Sequence, residues 1–173
     1  MHPAFSVIFF TVTSGAGYGL IALLGLFQFL HLGIFLDKNT FFISAGIAFS
    51  LFTMGLISST FHLANPKNAW RAFMRFRTSW LAREGLLAIL FYPFLFLYLY
   101  LNYINYQIDN FIFMQTYSFT IFIFAVVIIY CTGMIYACLK TIPQWNTFWT
   151  PVNYISIGIF LGSLIFFFIL DFY

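Results

Sequence analysis

Residues 4 to 36 form an apolar run that meets no charge until Asp37 and Lys38, longer than the ~20 residues that carry a helix across the hydrocarbon core of a bilayer. Few folds remain open to a chain that begins this way. In hydrocarbon each backbone N–H and C=O must be paired inside its own segment, so the run is expected to be a spanning helix, and its excess length predicts a tilt. Composition extends the inference to the whole chain. With 63% apolar, 24% aromatic and 6% charged residues, it stands far from the ~25% charged content of soluble domains. The expected fold class is therefore all-α, a polytopic membrane helix bundle that forms one domain over residues 1–173.

The spans follow in order from the polar punctuation. After the first, over 4–36, the turn Asp37-Lys38-Asn39-Thr40 leads to a second over 41–63, closed by Asn65-Pro66, since proline removes a donor and disfavours helix in the residue before it. A third runs over 80–101 with Ser79 as its cap and Pro93 as an expected kink. Tyr98, Tyr100, Tyr103 and Tyr106 at its exit read as an interfacial belt. The fourth covers 113–139 and the fifth 151–170, which gives five spans. Gly15 and Gly19 in the first, and Gly158 and Gly162 in the fifth, stand four apart, the spacing of small-residue faces that let helix backbones approach closely. No cleavable signal peptide is expected, because the N-terminus has no Lys or Arg and the apolar run is too long for such a segment.

Charge concentrates in one connection. Five of the seven Lys and Arg residues (Lys67, Arg71, Arg75, Arg77, Arg83) and the single glutamate, Glu84, lie between Ser58 and Gly85, in SSTFHLANPKNAWRAFMRFRTSWLAREG. The net charge of +3 thus speaks to membrane topology rather than to nucleic acid, and places this connection, the N-terminus and the 140–150 loop in the cytoplasm. Over 66–79, Lys67, Arg71 and Arg75 step by four while Trp70, Phe73 and Phe76 follow another side. That pattern predicts an amphipathic interfacial helix, either snorkelling among lipid headgroups or docking a partner subunit. Cys131 and Cys138, seven apart in one span, lie about 10 Å apart along a helix axis, too far for a disulfide, and two thiols are too few for an iron–sulfur cluster.

Three chemistries compete for the polar groups. A b-type haem needs two histidines at similar depth, whereas His31 and His62 close successive antiparallel spans and so lie at opposite faces, about 30 Å apart. A small transporter calls for repeats, broken helices or mid-membrane charge, and no span carries a charge at its centre. A quinol site needs a base beside the ring hydroxyls. His62 in the last turn of the second span and Glu84 at the start of the third meet at one face, with Ser58, Trp80 and Arg83 as candidate neighbours. From the residues alone this pairing is equally an interfacial ion pair that holds the loop.

The segments HPAFSVIFF, SGAGYGL, STFHLANPKNAWRAF, RTSWLAREG, MIYACLKTIPQW and PVNY together resemble the membrane anchor subunit of dimethyl sulfoxide reductase-type molybdenum oxidoreductases, over nearly the whole chain. The most specific part is His-Leu-x-x-Pro, a basic helix and then Arg-Glu-Gly. The resemblance implies a multi-helix anchor without haem in a bacterial inner membrane. Such an anchor oxidises menaquinol or a related quinol in anaerobic respiration and passes electrons to an iron–sulfur subunit, which feeds a molybdopterin catalytic subunit. It also implies that His62 and Glu84 are the quinol residues. Members of the family carry further C-terminal spanning helices, so this chain is expected to be a shortened or partial representative.

Overall fold

A computed structural model describes residues 5–32, 36–60, 74–105 and 111–172. Among them are five helices, α1 (Phe5–Phe29), α2 (Lys38–Thr60), α3 (Trp80–Asn105), α4 (Phe111–Ala137) and α5 (Trp149–Phe172). All five are long and apolar enough to cross a membrane.

The bundle is built around its first helix. In α1 the run from Ala16 to Ala22 is buried on every side, as expected of a helix enclosed by neighbours rather than set at a boundary. It packs against α2, α4 and α5, while α3 joins through α4. The residues that permit this are small. A Cβ on Gly19 would strike the backbone of Gly158, and one on Gly162 the backbone of Gly19 and Leu20. The two glycine faces expected from the sequence therefore pack on each other, backbone against backbone. The contact between α2 and α3 is of another kind, held at ring distance by Phe49, Phe52, Phe91 and Tyr92. Stacked and edge-on rings fill there the space that glycines close elsewhere.

Boundaries differ from the sequence reading where local caps act. The first helix stops at Phe29, and His31 takes a left-handed backbone, φ 60°, in the manner of a residue that ends a helix just past its last turn. His31 is thus beyond the helix rather than in its last turns. Asp37 caps α2 instead of belonging to a turn before it: its carboxylate accepts from the Asn39 N–H (3.1 Å) and its carbonyl from the Phe41 N–H (3.0 Å). Ser79 caps α3 as expected, accepting from the Ala82 N–H. At the far end of α4 the Asn146 amide closes on the Ala137 carbonyl, 2.6 Å, so Cys138 falls outside the helix and shares no helix face with the buried Cys131. α3 continues through Pro93. Of the expected interfacial helix, residues 66–73 lie outside the described residues, and 74–78 form turns instead of helix.

Candidate functional site

Alternation of the helices sets two ends. The starts of α1, α3 and α5 lie with the ends of α2 and α4; the end of α1 lies with the end of α3 and the start of α4.

At the first end Glu84, four residues into α3, is only 4% exposed. A carboxyl so placed in a hydrocarbon-embedded bundle is costly and calls for a partner. It has one in Thr132 of α4, 5% exposed, whose hydroxyl donates to Glu84 Oε1 in a short hydrogen bond and also lies 3.2 Å from the Ile128 carbonyl. Thr132 in turn lines a cavity of about 240 Å³ between α1, α4 and α5. Ser14, Gly15, Tyr18, Ile129 and Tyr154 are among the other residues of its wall. Tyr18 stacks on Phe52 and meets Phe91 edge-on. Its side chain is 2% exposed, and its hydroxyl has no hydrogen-bond partner among the described residues.

The expected neighbours of Glu84 do other work. Ser58 is buried at the end of α2, but its hydroxyl donates to the Ser6 carbonyl, 3.0 Å, tying α2 to α1. Arg83 turns away: its Nε donates to the Phe76 carbonyl (3.0 Å) and its Nη2 to the Arg77 carbonyl (2.8 Å), and its guanidinium covers the Trp80 ring at 4.2 Å. Trp80 meets Tyr130 edge-on. Arg83 and Trp80 therefore brace the 74–79 turn, where Arg75 and Arg77 are exposed, and are not brought to the carboxylate. His62, Lys67 and Arg71 lie outside the described residues. Thr132 and Tyr18 escaped the sequence reading. The only sign of the first was a Thr-Gly pair inside an apolar run, and Tyr18 sat within SGAGYGL, which reads as a packing face.

At the second end lies a polar cluster that the sequence reading also missed. Tyr98, expected in an interfacial belt, is fully buried because it shares a face of α3 with Asn102, and both point into the bundle. The Tyr98 hydroxyl donates to Gln28 Oε1 (2.6 Å), Gln28 Nε2 to Asn102 Oδ1 (2.6 Å), and Asn102 Nδ2 to the Tyr98 carbonyl (2.8 Å). Ser118 lies 3.0 Å from Gln28 Oε1. Tyr100 and Tyr103 are exposed as a belt requires; Tyr106 is outside the described residues. Lys38 sits over the Tyr103 ring at 4.5 Å.

Five helices long and apolar enough to cross a bilayer, found among the described residues with a carboxyl buried between them, mark a multi-pass membrane protein. The DMSO reductase anchor subunit (DmsC) family model matches residues 1–173, and the chain belongs to that family. A curated relative, a subunit of the sulfite dehydrogenase of Allochromatium vinosum, is 31% identical over 179 residues, covering 95% of this chain and 54% of the relative. The chain thus spans about half the length of that relative. No solved structure matches it.

Proposed function

We propose that the chain is the quinol-handling membrane anchor of a molybdenum oxidoreductase of anaerobic respiration, set in a bacterial inner membrane with its basic connection on the cytoplasmic side. Menaquinol or a related quinol is oxidised at the His62 and Glu84 end. Each quinol gives up two electrons, which pass to an iron–sulfur subunit and then to a molybdopterin catalytic subunit, and two protons, which leave by way of His62 and Glu84. The identity of the terminal substrate belongs to the catalytic subunit.

The observation that carries this reading is the burial of Glu84 against a neutral hydroxyl. A carboxyl kept inside a membrane bundle, bonded to Thr132, is better suited to taking and releasing protons than to holding a loop, the task for which an exposed ion pair suffices. The α2 helix ends at Thr60, two positions before His62 in the sequence, and α3 begins at Trp80 at the same end of the bundle, which supports pairing the two residues at one site.

The test is turnover in the assembled complex. Glu84→Gln and His62→Gln are each expected to reduce quinol-dependent reduction of the terminal acceptor by ~10²-fold or more, the usual scale for losing a general base. Unchanged rates in both variants would sink the assignment. Likeness to a sulfite dehydrogenase subunit supports a second reading in which electrons run the other way, from a substrate oxidised by the catalytic subunit into quinone at the same site. Assaying the complex with reduced and with oxidised quinone separates the two directions.

A further inference from the structure

Where α3 begins, two guanidinium groups are left without a partner. Arg75 and Arg77 are exposed on the turn before the helix, and their side chains make no hydrogen bond or ion pair among the described residues. The turn that carries them is nonetheless held. The Arg75 carbonyl accepts from the Thr78 and Ser79 N–H groups, both at 3.0 Å, and Arg83 spends its Nε and Nη2 on the carbonyls of Phe76 and Arg77. One arginine thus fixes the backbone from which two others project. Among the described residues the only acid at this end is Glu84, buried and bonded to Thr132, whereas Asp37 beside the start of α2 and Asp171 near the end of α5 belong to the other end.

The position of the turn decides what the two arginines meet. Trp80, covered by the Arg83 guanidinium at 4.2 Å, stands edge-on to Tyr130 of α4 with ring centroids 5.9 Å apart. Tyr130 is no core residue. With Val127 and Ile123, one and two turns along the helix, it belongs to the exposed flank of α4, the side that faces hydrocarbon when the helix spans a bilayer. Arg75 and Arg77 therefore stand at the rim of the bundle, over a lipid-facing seam between α3 and α4. The sequence there alternates as Met74-Arg75-Phe76-Arg77, and Met74 and Phe76 are exposed as well. Apolar side chains so placed enter the membrane interface while the cations reach its phosphate layer.

We propose that this rim is a binding site for an anionic phospholipid. The phosphate is held by Arg75 and Arg77, and an acyl chain lies along Trp80, Tyr130 and Val127. A guanidinium suits a phosphate diester because it offers paired N–H donors to two oxygens. A zwitterionic headgroup brings its own cation into the same space and binds less well. An acidic protein surface would answer the charge but not the flank, since Val127 and Ile123 lie in hydrocarbon. The site needs nothing from Glu84, so it stands or falls apart from the quinol reading.

Quenching of tryptophan fluorescence by phospholipids with brominated chains tests the proposal on the assembled complex in detergent, comparing phosphatidylglycerol with phosphatidylcholine. The wild type is expected to prefer the anionic lipid. Arg75→Gln and Arg77→Gln should each weaken that preference about fivefold, the scale of one basic residue at an anionic surface, and the double variant should lose it. The substituted side chains are exposed, so melting in phosphatidylcholine is expected to match the wild type. Lys38→Gln removes a charge at the other end, beside Asp37, and should leave the preference unchanged; an equal loss there would mean attraction to net charge and no site. A preference that survives in the double variant overturns the proposal, and if peripheral subunits detach from that variant the arginines belong to an acidic protein face instead.

Discussion

The two ends of the bundle handle buried polarity in opposite ways. Where α1 ends, Gln28, Tyr98, Asn102 and Ser118 form a connected set, each bonded to another member. Where α1 begins, Glu84 and Thr132 share one hydrogen bond beside a cavity, and the Tyr18 hydroxyl has no partner among the described residues. Glu84 and Tyr98 lie on the same helix only 14 positions apart, about 21 Å along its axis. A satisfied network inside hydrocarbon joins helices and fixes their register. On the proposed reading, the sparser pairing at the other end leaves the Glu84 carboxyl free to exchange protons. Burial alone therefore does not separate structure from function here; the balance of donors and acceptors does.

The largest expected effect breaks this comparison on the functional side: Glu84→Gln should lower quinol-linked turnover by ~10²-fold or more, with a melting temperature at or above that of the wild type, since a buried ionisable group has been neutralised. At the opposite end, Gln28→Leu should do the reverse. It strands the Tyr98 hydroxyl and the Asn102 amide oxygen in hydrocarbon, with a loss of about 2–3 kcal/mol in stability by denaturant titration in detergent, while turnover per folded complex stays as in the wild type. If Gln28→Leu also halted turnover, the division between the ends would fail. Next comes Thr132→Val, expected to slow turnover about tenfold by removing the hydrogen bond to Glu84, with Thr132→Ser retaining most of the rate. The smallest effect is on stability in Tyr18→Phe. Removing a buried hydroxyl that has no partner among the described residues should leave the melting point unchanged or raise it slightly, whereas Tyr98→Phe, which breaks the bond to Gln28, should lower stability by ~1 kcal/mol.

The same contrast explains what the sequence made legible. Spanning helices are a matter of uncharged length, which a chain displays openly, and all five were readable; so were the glycine faces of α1 and α5, because a four-residue spacing of the smallest side chain has one common use in a membrane. Glu84 stood out as the single glutamate. Pairings that depend on how helices are rotated about their axes did not show. The polar residues of α4 stand in a long apolar run, and nothing local says that Thr132 turns toward Glu84 or that Ser118 turns toward Gln28. Tyr98 was misplaced for a related reason: a tyrosine near the end of a span resembles its exposed neighbours Tyr100 and Tyr103 until the facing helix is known. Arg83 was assigned by adjacency to Glu84, but neighbours in a helix point about 100° apart, and its guanidinium found backbone carbonyls of the 74–79 turn instead.

The seam between Gly19 and Gly158 also constrains how the protein is made. The two residues are separated by roughly 140 positions, so the ribosome needs on the order of ten seconds after α1 has emerged to deliver the helix that closes it. Through that interval the central helix waits in the bilayer with its glycine face turned to lipid or to an insertion factor. That face of α1 is sealed only after α5 has been made, and closure of this seam is paced by the synthesis of α5.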